Sequence, residues 1–301
     1  MPEHFESSAP YRDLVDNDKP AKAVEEGLAY LAARRLAVGD QQYHKDHKGT
    51  PFYILGYSAF ACHDYTSASL YFDAAAEADL RYHQGDLNTP ALRFIQILHA
   101  PKEDLLASGI IAQIEAQTQA LLAEYQNRHL HEAIGLSDLR TRFFERILKN
   151  GPPHLRTLLT AFISFVAESD YRAKQFELVA EGSREPFFLH LFRGCVLFES
   201  LLKSAPGAPN FSNMNKALSH YKSQLRLRSP IRAGAKQFDT VVASLAPNMD
   251  IDQAIYSCAQ TRNTIGHNLV WATTNLNSQT YNWLVQNVGV SCIHAISRLY
   301  P

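Results

Sequence analysis

At 301 residues the chain is long enough for two domains, and 46% hydrophobic with 20% charged residues marks a folded chain rather than a disordered one. A formal net charge of −1 removes any argument for nucleic acid from overall balance, so only local charge can carry one. Cys62, Cys195, Cys258 and Cys292 lie far apart without a Cys-x-x-Cys or Cys/His cluster, so a disulfide framework and a structural zinc are both poor readings and a reducing compartment is the simpler one. The opening MPEHFESSAPYRDL has neither a basic head nor an apolar core, and no apolar run approaches a membrane span. The expectation is a cytoplasmic, all-α protein without membrane contact.

Ala, Leu, Gln and Glu recur along the chain, while alternating β-branched runs are scarce. AKAVEEGLAYLAARRLAV, PFYILGYSAFACHDY and EDLLASGIIAQIEAQTQALLAEYQ space their apolar residues by three and four. In the last, Leu105, Ile110, Ile114, Ala120, Leu121 and Tyr125 are expected to line one helical stripe. Gly39, Gly49-Thr50-Pro51, Gly85 to Pro90, Pro101, Gly135 and Gly151-Pro152-Pro153 cut residues 20–180 into helices. Within 49–82, Phe52, Leu55-Gly56, Asp64-Tyr65, Ala68, Phe72 and Ala75 stand at the spacing of a helix pair. Gly56 and Ala68 would let the two helices cross closely, with Phe72 filling the groove to the next element. This stretch resembles a tetratricopeptide (TPR) unit, departing from it at Ala59 and Leu80. The resemblance implies TPR-like hairpins across 1–182, with an irregular helical domain as the alternative reading.

GSREP at 182–186 is the candidate boundary, and 183–301 reads as a second helical block. Its helices are expected over 186–203, 213–228, 231–245, 251 to about 272, and 278–299. The chemistry-bearing residues fall in QTRNTIGHNLVW, 260–271. Histidine titrates near neutrality and can move a proton, while an arginine fork stays charged and grips phosphate oxygens. On a helix Asn263 and His267 would share a face, so that the amide orients the imidazole. Gly266, four residues after Arg262, would leave room for guanidinium and phosphate. Arg93…His99 and Arg184…His190 have similar spacing but lack the following asparagine.

Arg262-Asn263-Thr264-Ile265-Gly266-His267 has the R-N-x-x-x-H form, and with the apolar helix 187–204 the block resembles a HEPN domain. The resemblance implies a C-terminal HEPN-like bundle with Arg262, His267 and Asn263 as catalytic residues. It further implies a site composed where two copies meet, hence a homodimer, with helices 187–204 and 251–272 at the interface and Val270 and Trp271 at its seam. The function implied is a metal-independent endoribonuclease, a regulated toxin or defence effector, needing no metal or cofactor. The TPR-like region would then take a regulatory protein or small ligand. A non-catalytic adaptor that binds nucleotides or proteins is the alternative, and a helical structural protein with a chance motif is the third reading. Between Glu199 and Asp239 there is no acid, while Lys222, Arg226, Arg228, Arg232 and Lys236 lie in the interval. Their four-residue steps predict two basic helical stripes that could track an RNA backbone, or simply a solvated face. YHKDHKG, with His44, Asp46 and His47, reads as a solvated turn without a third metal ligand. His129, His131 and Glu132 read the same way.

Overall fold

The computed structural model describes residues 9–83, 85–99, 106–129, 134–179 and 182–300. Within them it is all-helical, without a β-strand, and no helix is long and apolar enough to cross a membrane. Leu105, His131 and Glu132 lie outside the described residues. The chain forms two compact units, Met1–Ile114 and Glu115–Pro301.

The first unit holds α1 (Ala9–Asp16), α2 (Pro20–Val38), α3 (Asp40–Lys45), α4 (Gly49–Ala61), α5 (Tyr65–Tyr82) and α6 (Pro90–Ile95). Pro20 opens α2 where a missing N–H costs nothing, and Gly39 stops it at φ +78°. The helices α4 and α5 form a tight hairpin. Asp64 caps α5 by accepting the Ser67 N–H. A methyl group on Gly56 would come within 2.9 Å of the Phe72 ring, so the crossing depends on that glycine. Phe72 is fully buried and stacks on Phe94 of α6 with ring centres 3.6 Å apart. The spacing expected to let two helices cross thus does so here.

The helix α7 (Ser108–Arg128) leads into the second unit. Its buried stripe is Ile111, Ile114, Thr118, Leu122 and Tyr125, whereas Ala120 of the expected stripe is exposed. The one-residue rotation follows the side chains that reach the core, not the count of apolar letters. The chain continues through α8 (Leu136–Leu139), a π-helical turn Arg140–Glu145 and α9 (Arg146–Asn150), then α10 (Arg156–Leu178), α11 (Glu185–Lys203), α12 (Met214–His220), α13 (Phe238–Ala243), α14 (Ile251–Ile265) and α15 (Ser278–Leu299).

The centre of this unit is α15, buried at every position from Asn287 to Ile296 because α10, α11 and α14 surround it. Gly194 permits the closest approach: a methyl group there would fall 2.4 Å from Phe165 and 2.7 Å from Val288. The helices α10 and α11, expected on either side of a break at 182–186, therefore pack against each other inside one unit. Two histidines are built into the core as hydrogen-bonded groups. His190 bonds Tyr281 Oη at 2.7 Å and the Phe165 carbonyl at 3.0 Å, and His294 bonds Tyr125 Oη at 3.1 Å and the Leu225 carbonyl at 2.9 Å. Cys195, Cys258 and Cys292 are buried thiols at the crossing of α11, α14 and α15, while Cys62 is exposed. Burial pushes the Cys258 and Cys292 thiols well above their ordinary range, with Cys195 hydrogen-bonded to Cys258.

Candidate functional site at the end of helix 14

The helix α14 starts with a reciprocal cap, Asp250 accepting the Gln253 N–H and the Gln253 side chain accepting the Asp250 N–H. It ends at Ile265, shorter than the expected 251–272. Gly266 is its C-cap, and the Asn268 side chain bonds both the N–H and the carbonyl of Val270, closing a turn that competes with helix. Arg262 and Asn263 therefore sit on the last helical turn, and His267 lies just beyond it.

Arg262 Nε donates to Glu199 Oε2 of α11 at 2.7 Å. Glu199 is buried and also takes Lys203 Nζ, four residues on, at 2.7 Å. The guanidinium is thus aimed from behind by a buried carboxylate, with its own side chain about one-third exposed. Gly266 lets this end of α14 approach α11: a methyl group there would meet the Phe192 ring at 3.2 Å and Arg262 Nη1 at 3.8 Å. Asn263 does not orient His267, as the shared-face argument expected, because the helix stops before His267. Its amide donates instead to the Ala233 carbonyl at 2.8 Å. The His267 side chain is exposed and its ring makes no hydrogen bond or ion pair among the described residues. Trp271 is half-buried against the Phe188/Leu191/Phe238/Leu284 cluster and donates to the Asn268 carbonyl.

The basic interval is not helical where helices over 213–228 and 231–245 were expected. The helix α12 stops at His220 and α13 starts at Phe238. Arg226 takes φ +51° and closes a turn with Leu227 N–H on the Lys222 carbonyl at 3.0 Å. Pro230 then forces extended backbone, and Gly234 lowers any helical preference. The two basic stripes accordingly do not form. Residues 228–236 run instead beside α14, from its start to its end. The Arg228 N–H meets Asp252 at 2.8 Å, the Gly234 carbonyl takes the Gln260 amide, the Ala233 carbonyl takes Asn263, and the Lys236 N–H meets Thr264 Oγ1 at 3.2 Å.

No family model, curated protein or solved structure matches this chain. Of the expected RNA-contacting residues, Arg232 and Lys236 are exposed and lie in the segment tied to Gln260, Asn263 and Thr264 of α14. Lys236 also reaches Tyr256 Oη at 3.4 Å. Arg228 sits at the opposite end of α14 and is paired with Asp250 and Asp252, Lys222 is half-buried, and Arg226 is exposed in its turn. Glu199 is the partner of Arg262 that sequence reasoning missed. Its signal was a single acid within the apolar run FFLHLFRGCVLFESLL.

A second cluster was also missed. Asp46, His47 and Lys48 are buried, not solvated. His47 meets Asp79 and His83 of the α5 end, and the three side chains form a set that could hold a metal ion. His44, by contrast, is exposed, and His129 packs beside Tyr125 and His294.

Proposed function

We propose that the protein is a metal-independent endoribonuclease of HEPN type, acting as a regulated toxin or defence effector. The observation that carries this reading is the binding of the 231–237 segment along α14. It leaves Arg232 and Lys236 exposed on a segment fixed to the last turns of α14, the helix end that also carries Arg262, held by a buried carboxylate, and leads to the exposed His267. A phosphate drawn to Arg232 and Lys236 would find Arg262 ready to take charge on the phosphorane as the adjacent 2′-hydroxyl attacks. His267 would exchange the proton. The bond formed is O2′–P, the bond broken is P–O5′, and the leaving 5′-oxygen gains a proton.

One chain supplies one such histidine, so both acid and base at a single phosphate call for two copies around a common cleft. The exposed apolar side chains Leu189 and Val196 of α11 and Leu269 and Val270 beyond α14 support a homodimer through this unit. The TPR-like hairpin of the first unit would serve as the platform for a regulatory protein or small ligand. The Arg262–Glu199 ion pair favours one second reading, a non-catalytic adaptor in which Arg262 is structural.

The deciding experiment is cleavage of end-labelled RNA by the full chain in excess EDTA. The expected products end in a 2′,3′-cyclic phosphate or its 3′-phosphate. A 5′-phosphate on the downstream fragment would indicate metal-activated water, and no cleavage at all would favour the adaptor.

Charge placement gives a separate expectation. Replacing Arg232 and Lys236 together by glutamine should weaken RNA binding and reduce the slope of log K against log salt by about 1.4, as two lost phosphate contacts on a single strand require. Arg228→Gln should change the slope little, because Asp250 and Asp252 already hold that side chain. Binding isotherms over a range of salt concentrations check both; an equal effect of Arg228→Gln would move the RNA path to the start of α14.

A further inference from the structure

The buried cluster at the end of α5 is unrelated to the RNA chemistry and has its own logic. Asp79 lies in the last turn of α5, and His83 is the C-cap four residues later, so both face the same side. His47 enters from the segment before α4, with Nε2 at 2.8 Å from Asp79 Oδ1. The ligand-capable atoms of all three lie within 4.8 Å of one another. Ligand atoms around a tetrahedral zinc stand about 3.3 Å apart, so small side-chain rotations bring these three to that geometry.

The surroundings fix the segment that carries His47. Asp46 accepts Arg34 at 3.2 Å and Gln42 at 2.8 Å, and Lys48 Nζ donates to the Asp46 carbonyl at 2.8 Å and to that of Tyr43. Such outer contacts hold a ligand's backbone in place before any ion arrives. Gly49 supplies the space. A methyl group there would fall 2.0 Å from Asp79 Oδ1 and 2.9 Å from His47 Nε2, so no other residue fits behind the pair. Asp79 is buried, and His47 is its side-chain partner among the described residues. A carboxylate has room for about four hydrogen-bond donors, so one donor leaves this buried group short of positive charge. All three side chains line a cavity of 380 Å³, together with Thr50 and Tyr53, which leaves space for water or a ligand at a fourth position.

We propose that His47, Asp79 and His83 bind one divalent transition-metal ion, zinc foremost, with a fourth coordination position open to the cavity. Two imidazoles and one carboxylate suit zinc or cobalt over the all-oxygen sites of calcium and magnesium. The ion ties the segment before α4 to the end of α5, closing the hairpin at its open side.

The test uses the full chain, stripped of metal and titrated with cobalt(II). One equivalent should produce the visible bands of four-coordinate cobalt without thiolate charge transfer, and zinc should remove them. Exposed His83 can be replaced with little risk to the fold, and His83→Ala should weaken cobalt binding at least tenfold. Asp79→Asn should do the same, and zinc should raise the melting temperature of the wild type but not of either variant. Absence of visible bands, bands carrying thiolate charge transfer from Cys62, or equal affinity in His83→Ala would each overturn the proposal. None of these readouts involves RNA, so the metal site and the nuclease reading stand or fall separately.

Discussion

His267→Ala is expected to lower RNA cleavage by about 10²- to 10⁴-fold, the usual weight of a lost general acid or base, with no change in melting temperature. The side chain is exposed and makes no hydrogen bond among the described residues, so the fold loses nothing with it. Arg262 behaves differently. A place near a helix end alone would make its removal harmless, but the ion pair with Glu199 changes that. Arg262→Ala leaves Glu199 buried with Lys203 as its remaining cation, and a cost of about 2 kcal/mol follows, reduced from a fully buried pair because the arginine is partly exposed. Arg262→Lys is the cleaner probe: it keeps a cation for Glu199 yet removes the planar fork, so stability should hold while cleavage falls. Mixed dimers with one Arg262→Lys and one His267→Ala subunit then report on sharing of the site. Full activity of the His267→Ala protein in the RNA assay would remove His267 from the mechanism.

The fold itself should weaken in mild acid. Burial holds the His190 imidazole down to about 4, against an ordinary value of 6.5, with Glu168 opposing the shift. Between those values the unfolded chain binds a proton at this residue that the folded chain refuses. Stability is therefore complete above pH 6.5 and declines as pH falls towards 4, by about 3 kcal/mol in total. Urea unfolding followed at intervals from pH 7 to 4.5 measures the slope. In His190→Gln the amide can still donate to the Phe165 carbonyl, so this variant should show a flatter slope over the same range whatever its stability at pH 7. Parallel slopes in the two proteins would show that other groups carry the acid sensitivity.

The helices with strong ends were legible from sequence. Glu185–Lys203 begins with proline at its second position, and Ser278–Leu299 follows a capping asparagine, and both were placed within a residue. The close crossing at Gly56 and Phe72 was legible too, because a glycine opposite an aromatic at that spacing has few other uses. The 221–237 segment was misread. Its periodicity is helical, but Pro230 and Gly234 sit inside the period, and the backbone is satisfied by side chains of Gln260, Asn263 and Thr264 that local pattern does not reveal. The same blindness hid Glu199 from Arg262, 63 residues away, and Asp79 from His47, 32 residues away. Spacing along a chain finds partners within a helical turn or two; partners across a core appear only once the helices have crossed.

The three sulfurs at the meeting of α11, α14 and α15 make the second unit its own timekeeper. Cys195, Cys258 and Cys292 are shielded from any reagent in solution, and burial disfavours the thiolate form of Cys258 and Cys292. Alkylation must wait until the helices part, so with reagent in sufficient excess to outpace reclosing its rate is the frequency of opening. Cys62, exposed in the other unit, needs no opening, and although partial burial and Asp64 push its thiol above the ordinary range it marks the start of the count. With its own cysteines as the only probes, the chain records how often its central helix is uncovered.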